Sequence, residues 1–101
     1  MDEVKSLFQT RDQAVAKKNK QLFASTQIQD IPYASISGYI SCSSLETNVL
    51  NVVDDTDFKK VVFVKENYGT HWAFLLYYLV NTVNGWKIYD IVSSLRLLMP
   101  A

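Results

Sequence analysis

The sequence predicts an α+β domain: an N-terminal amphipathic helix packed on an antiparallel sheet of about four strands. Three observations lead there. The first third of the chain carries apolar residues at helical spacing. From Leu45 onward come runs of β-branched and aromatic residues broken by turn formers. Between the last two runs stands Asn84-Gly85, the strongest short hairpin signal a sequence offers.

Asp2 to about Asn19 has Val4, Leu7, Phe8, Arg11, Ala14 and Val15 on one helical stripe, with Lys5, Gln9, Asp12, Gln13 and Lys17 elsewhere. Asp2 and Glu3 suit the positive end of its dipole, and Lys17, Lys18 and Lys20 the negative end. A short second helix is expected around Gln21–Ser25, and Pro32 then imposes an extended residue before it. Tyr33–Ser44 fits a short helix or a strand, since Ile36 and Ile40 among small residues do not decide, and is read as a short helix or irregular segment. Strands follow over LETNVLNVV, DFKKVVFVKENY, THWAFLLYYLVNTV and WKIYDIVSS, separated by Asp54–Asp57, Gly69 and Asn84-Gly85.

With 101 residues, about half of them apolar, the chain has room for one domain (1–101) with its own core. Ten basic and ten acidic residues cancel, so no field of one sign draws it to nucleic acid or anionic membrane, and the short lysine runs read as solvated surface. The longest stretch without a strongly polar residue, Trp72–Val80, falls far short of the roughly 20 residues a membrane helix needs. Cys42 is the one cysteine, so no internal disulfide forms. No zinc spacing, phosphate loop, Ser-His-Asp motif or other cofactor signature is present. The start of the chain lacks the order of a signal peptide. The compartment stays open between the cytoplasm and an exported domain whose leader has been removed.

Hairpin register sorts the faces. With Asn84-Gly85 as a two-residue loop, Val83 opposes Trp86, Asn81 opposes Ile88, Leu79 opposes Asp90 and Tyr77 opposes Val92. A turn at Tyr68-Gly69 sets Glu66 opposite His71 and Val62 opposite Leu75. One face then holds Val62, Val64, Glu66, His71, Ala73, Leu75, Tyr77, Leu79, Trp86, Ile88, Asp90 and Val92. The other holds Val61, Phe63, Lys65, Trp72, Phe74, Leu76, Tyr78, Val80, Tyr89 and Ile91. Both are apolar, and one helix covers only one of them, so a homodimer through the second face is expected.

This layout, a long amphipathic helix, a short helical region and long antiparallel strands ending in the GWKI-type strand of Asn84–Ile91, resembles the nuclear transport factor 2-like superfamily. That cystatin-like α+β cone includes ketosteroid isomerase, scytalone dehydratase and the polyketide-cyclase-like proteins. The resemblance implies a curved sheet whose concave side, wrapped by helices, forms an apolar pocket for a small ligand. It also implies a convex side that pairs with another subunit.

Asp90 and Tyr77 are the sharpest candidates within such a pocket, with Leu75, Trp86 and Ile88 beside them as its lining. A carboxylate in a dry site has its pKa raised and can serve as a general base or a hydrogen-bond donor. The competing account gives Asp90 an ordinary partner in a tyrosine hydroxyl or a backbone amide. His71 with Glu66 makes a poor metal site and reads as turn pairing. Cys42 lacks a basic neighbour and reads as a small buried thiol. Asp30 and Tyr33 could reach over a pocket mouth or serve the turn at Pro32. Asp54, Asp55 and Asp57 lack the glycine and distal glutamate of a calcium loop. The function expected is a small ligand- or partner-binding domain without a catalytic signature. The alternatives are an isomerase, dehydratase or cyclase using Asp90 and Tyr77, and a structural dimerisation module.

Overall fold

A computed structural model of the chain describes residues 2–31 and 34–93. Three helices, α1 (Asp2–Ala16), α2 (Lys20–Ala24) and α3 (Ile36–Ile40), precede four strands, β1 (Glu46–Asp55), β2 (Lys59–Asn67), β3 (Trp72–Thr82) and β4 (Gly85–Ser93). The strands form one antiparallel sheet in the order β1-β2-β3-β4, curved and not closed, with α1 packed on it.

Helix α1 stops three residues earlier than its periodicity suggests, and the three lysines lie beyond its last turn. The reason is local. Lys18 takes a left-handed φ of 56°, its amide donates to Val15 O at 3.1 Å, and the Asn19 amide donates to Ala14 O at 2.8 Å. This is a Schellman ending with lysine where glycine is usual. Asn19 is thereby freed to cap α2, its Oδ1 accepting from the Leu22 amide at 3.0 Å. Lys18 Nζ reaches forward to the carbonyl oxygens of Ile40 and Cys42, tying the end of α1 to the end of α3. Asp12 ties α1 to the sheet, its carboxylate accepting from the Thr47 amide at 2.9 Å and the Thr47 hydroxyl at 2.8 Å.

The face toward the helices buries Val62 and Val64 from β2, Tyr77 and Leu79 from β3, and Ile88 and Ile91 from β4, against Val4, Phe8, Ala14, Val15 and Phe23. That face agrees with the alternation read from sequence through Ile88. Two registers differ from expectation. The turn between β2 and β3 spans residues 68–71, closed by Tyr68 N donating to His71 O at 2.8 Å. Glu66 therefore pairs with Ala73 and Val62 with Tyr77, a slip of two residues that leaves the faces intact.

The second hairpin differs more. Its loop is Val83-Asn84, with Thr82 paired to Gly85, because positive φ falls on Gly85 alone (99°) and a type I′ turn would need it at both loop residues. Beyond Leu79–Ile88 a bulge inserts Tyr89, so that Asp90 opposes Tyr78 and Ile91 opposes Tyr77. One extra residue reverses the phase of the rest of β4: Ile91 turns inward and is 1% exposed. Asp90 and Val92 follow the outward phase. The bulge lies where residues 26–28 add a short parallel bridge to β4, with Ile28 N donating to Ile88 O at 3.0 Å and Ile88 N to Thr26 O at 2.9 Å.

Among the described residues no helix lies over the outer face. Val61, Phe63, Phe74, Leu76, Tyr78, Val80, Tyr89 and Val92 are half-buried among one another, and Trp72 is 55% exposed. Phe63 and Phe74 stack with centroids 5.7 Å apart, Trp72 meets Phe74 edge-on at 5.1 Å, and Tyr78 meets Tyr89 edge-on at 5.9 Å.

Candidate functional site

The interior of the curved sheet holds a polar cluster built from both layers. Arg11 enters from the apolar stripe of α1 and Glu66 from the inward phase of β2, and each is 0% exposed. Their closest atoms, Arg11 Nη1 and Glu66 Oε2, are 3.8 Å apart. Three tyrosines complete the cluster. Tyr39 of α3 and Tyr68, just after β2, each donate to Glu66 Oε1 at 2.6 Å. Tyr77 of β3 donates to Glu66 Oε2 and accepts from Arg11 Nη1 at 2.7 Å. The Tyr39 and Tyr77 hydroxyls lie 3.4 Å apart.

The guanidinium of Arg11 also sits in an aromatic enclosure, 4.5 Å from the Phe23 ring centroid, 5.0 Å from Tyr39 and 4.9 Å from Tyr77. Its Nε and Nη2 are buried without a hydrogen-bond partner, so ring faces take the place of oxygen acceptors there. Burial alone would disfavour its charge. The surrounding phenol oxygens and Glu66 outweigh that and hold its pKa above the ordinary arginine value. The phenols are raised as well, which for them disfavours the charged form. Burial, then the carboxylate of Glu66, pushes Tyr68 far above an ordinary tyrosine. Tyr39 is raised first by burial, then by Tyr77 and Glu66. Tyr77 is raised by burial although the Arg11 charge opposes it. The tyrosines are locked as donors, and Glu66 is their acceptor.

Of the residues singled out from sequence, Tyr77 lies at the centre of this cluster. Asp90 does not join it. The bulge at Tyr89 places Asp90 opposite Tyr78 on the outer side of the sheet, where its Oδ1 accepts from the Ile91 amide at 2.8 Å. The expected Tyr77–Asp90 neighbourhood is therefore corrected: the two residues belong to opposite faces. Ile88 is core, paired with Leu79, and Leu75 is partly buried against that core. Trp86 lies at the hairpin end of the inner face with Lys60 Nζ 4.9 Å above its ring. His71 is exposed in its turn, Nδ1 2.9 Å from Thr70 Oγ1, and Glu66 faces Ala73 instead. Cys42 is half-buried with Sγ 3.5 Å from Gly38 O. Asp30 Oδ1 accepts from the amides of Ile31 and Ile36, which is turn chemistry, and Tyr33 lies outside the described residues. Among the described residues no group of His, Cys, Asp and Glu is placed to hold a metal ion, and no helix is long and apolar enough to cross a membrane.

Sequence reasoning missed Arg11, Glu66, Tyr39 and Tyr68 as a unit. The signal was present in two places: a charge of one sign inside the apolar stripe of the helix, and a charge of the other sign inside the apolar alternation Val62, Val64, Glu66.

Two clefts flank the filled interior. One, of about 460 Å³, opens between α3 and the β2–β3 turn and is lined by Ala34, Gly38, Tyr39, Tyr68, His71 and Ala73 among others. The other, of about 790 Å³ and more polar, runs between α1 and the hairpin end of the sheet, past Thr10, Lys60, Asn81 and Trp86. Arg11, Tyr77 and Glu66 fill the space between them with the chain's own side chains. No protein-family model, curated protein or solved structure matches this chain.

Proposed function

We propose that the protein is an interaction domain of the nuclear transport factor 2-like layout, working through the outer face of its sheet. The observation that carries this reading is an apolar, aromatic face over which no described residue forms a covering layer, opposite an inner face filled by the chain's own side chains. Monomeric proteins seldom leave a contiguous apolar patch of more than a few hundred Å² to water, and larger ones mark contact surfaces. Trp72, Phe63, Phe74, Tyr78 and Tyr89 are residue types enriched at such contacts. The buried Arg11–Glu66 cluster has the character of an internal brace: the Glu66 carboxylate takes its bonds from the three tyrosines, and the guanidinium of Arg11 is held by Tyr77 and the surrounding ring faces.

Methyl-resolved NMR tests this. When the labelled protein moves from dilute buffer into concentrated cell extract, the signals of Leu76, Val80 and Val92 shift or broaden, while those of Val62, Leu79 and Ile88 hold. Perturbation confined to the methyls of Ala34 and Ala73, or none at all, counts against it. The former outcome favours a second reading, a small apolar ligand in the cleft of about 460 Å³ beside Tyr39 and Tyr68, which falls within the roughly 300–1,000 Å³ of small-molecule sites.

A further inference from the structure

A second surface lies apart from the outer face. We infer that the polar cleft of about 790 Å³, between α1 and the hairpin end of the sheet, binds a neutral oligosaccharide. Trp86 is its apolar contact, and Glu3, Asp57 and Asn84 are the partners of its hydroxyls.

One wall is a stripe of α1: Glu3, Ser6, Leu7 and Thr10 recur at helical spacing beside the stripe that carries Val4, Phe8 and Arg11 into the core. The other wall is the tip of the sheet. Asp57 stands in the turn between β1 and β2, and Asn84 and Trp86 belong to the hairpin of β3 and β4. Arg11, Tyr77 and Glu66 separate this trough from the cleft beside Tyr39.

What the walls leave unspent decides the class of ligand. Among the described residues nothing bonds to the side chains of Glu3, Ser6, Asp57 and Asn84, or to Trp86 Nε1. The two ammonium groups, in contrast, are committed. Lys60 Nζ pairs with Asp55 and stands 4.9 Å from the Trp86 ring centroid, and Lys87 Nζ donates to Ser25 O. Two free carboxylates beside two occupied cations disfavour a phosphate or other anion. A cationic ligand would find its place at the Trp86 ring already held by Lys60.

An apolar ligand would strip water from the carboxylates and the amide and give nothing back. Peptide recognition leans on a free strand edge or an apolar groove, and residues 26–28 already occupy the edge of β4 here. A sugar meets every condition. Its hydroxyls donate to Glu3 and Asp57 in charge-assisted bonds and accept from the Asn84 amide and the indole N–H. Its C–H groups lie against the exposed part of the Trp86 indole. The volume falls within the roughly 300–1,000 Å³ of small-molecule sites, with room for a short oligosaccharide. Glu3, Ser6, Asp57 and Asn84 are exposed, so each bond replaces one to water and the affinity is millimolar.

NMR titration of the isotope-labelled full chain tests the inference. The probes are neutral disaccharides and trisaccharides of hexose, pentose and N-acetylhexosamine units in both anomeric linkages. The two tryptophans report separately, Trp86 from the cleft and Trp72 from the outer face. At least one saccharide shifts the Trp86 indole and the Asn84 amide signals to saturation and leaves Trp72 in place. Glu3→Ala and Asp57→Ala each weaken that binding by about tenfold. Ser6→Tyr, which fills the trough from the helix side, abolishes it, with folding of each variant checked by circular dichroism. The phosphorylated form of the bound sugar binds no more tightly than the neutral one. A Trp86 signal that no saccharide moves, equal shifts at both tryptophans, variants that bind as wild type does, or a preference for the phosphorylated sugar each overturn the assignment.

Discussion

Arg11 and Glu66 stand 3.8 Å apart, both enclosed completely, one on α1 and the other on β2. This pair, with the Tyr77 hydroxyl bridging it, links the helical layer to the sheet. Removing one partner leaves the other charge buried and uncompensated. Arg11→Met and Glu66→Gln should each cost about 3–5 kcal/mol. The double variant should cost clearly less than their sum, with a coupling of about 1–3 kcal/mol. Urea denaturation of the four proteins measures the cycle; additive losses would show that the two residues act independently.

The tyrosines make stability depend on pH. Tyr39, Tyr68 and Tyr77 have folded-state pKa values above the ordinary one, so above pH ~10 the native chain holds protons that the unfolded chain releases. Their contribution is present in full below that pH and is lost as pH rises beyond it. Urea midpoints should therefore fall steeply above about pH 10. Absorbance at the phenolate band should show these tyrosines ionising only as the fold is lost. Their ionisation near pH 10 with the native circular dichroism intact would contradict the network.

Tyr77 joins both charges, whereas Tyr68 touches only Glu66 from a half-buried position. Tyr77→Phe removes the partner of Arg11 Nη1 and should cost about 2–3 kcal/mol, against roughly 1 kcal/mol for Tyr68→Phe. Thermal unfolding of the two variants gives the order directly.

Register in β4 is open to a paired substitution. Ile91, turned inward by the bulge, should lose about 2–5 kcal/mol on replacement by alanine. Asp90→Ala should change monomer stability by no more than about 0.5 kcal/mol. Without the bulge the order would reverse, because Ile91 would face outward and Asp90 the core.

Helices and strands were legible because periods of 3.6 and 2 are local properties, visible in α1 and in β2 and β3 without knowledge of their neighbours. The phase change in β4 was not. WKIYDIVSS offers apolar residues in both phases, and a continuous alternation forces Asp90 among apolar partners. Alternation alone makes that conflict look like a site, whereas a bulge at Tyr89 removes it by sending Asp90 out and Ile91 in. The internal cluster was half legible: Arg11 and Glu66 each broke an apolar pattern. That they break it for one another depends on how α1 lies across the sheet, which no local pattern encodes. The two-sided apolar sheet, in contrast, followed from alternation alone, since residues on the outer face of β2 and β3 keep their side under the two-residue slip.

Gly85 is the position where backbone freedom decides the hairpin. Its φ of 99° lies where L side chains are rare, and an added Cβ would meet nothing within 4 Å. Gly85→Ala should therefore cost about 1–2 kcal/mol from conformation alone, with no clash to relieve. A larger loss in urea denaturation would point to a packing role that the open space around it does not suggest.

The most direct test of the outer face as the working surface is cross-saturation NMR, from protonated cell extract to the deuterated, methyl-protonated chain. Intensity should be lost at Leu76, Val80 and Val92. Loss instead at the rim of the cleft beside Tyr39, at Ala34 and Ala73, would contradict the account.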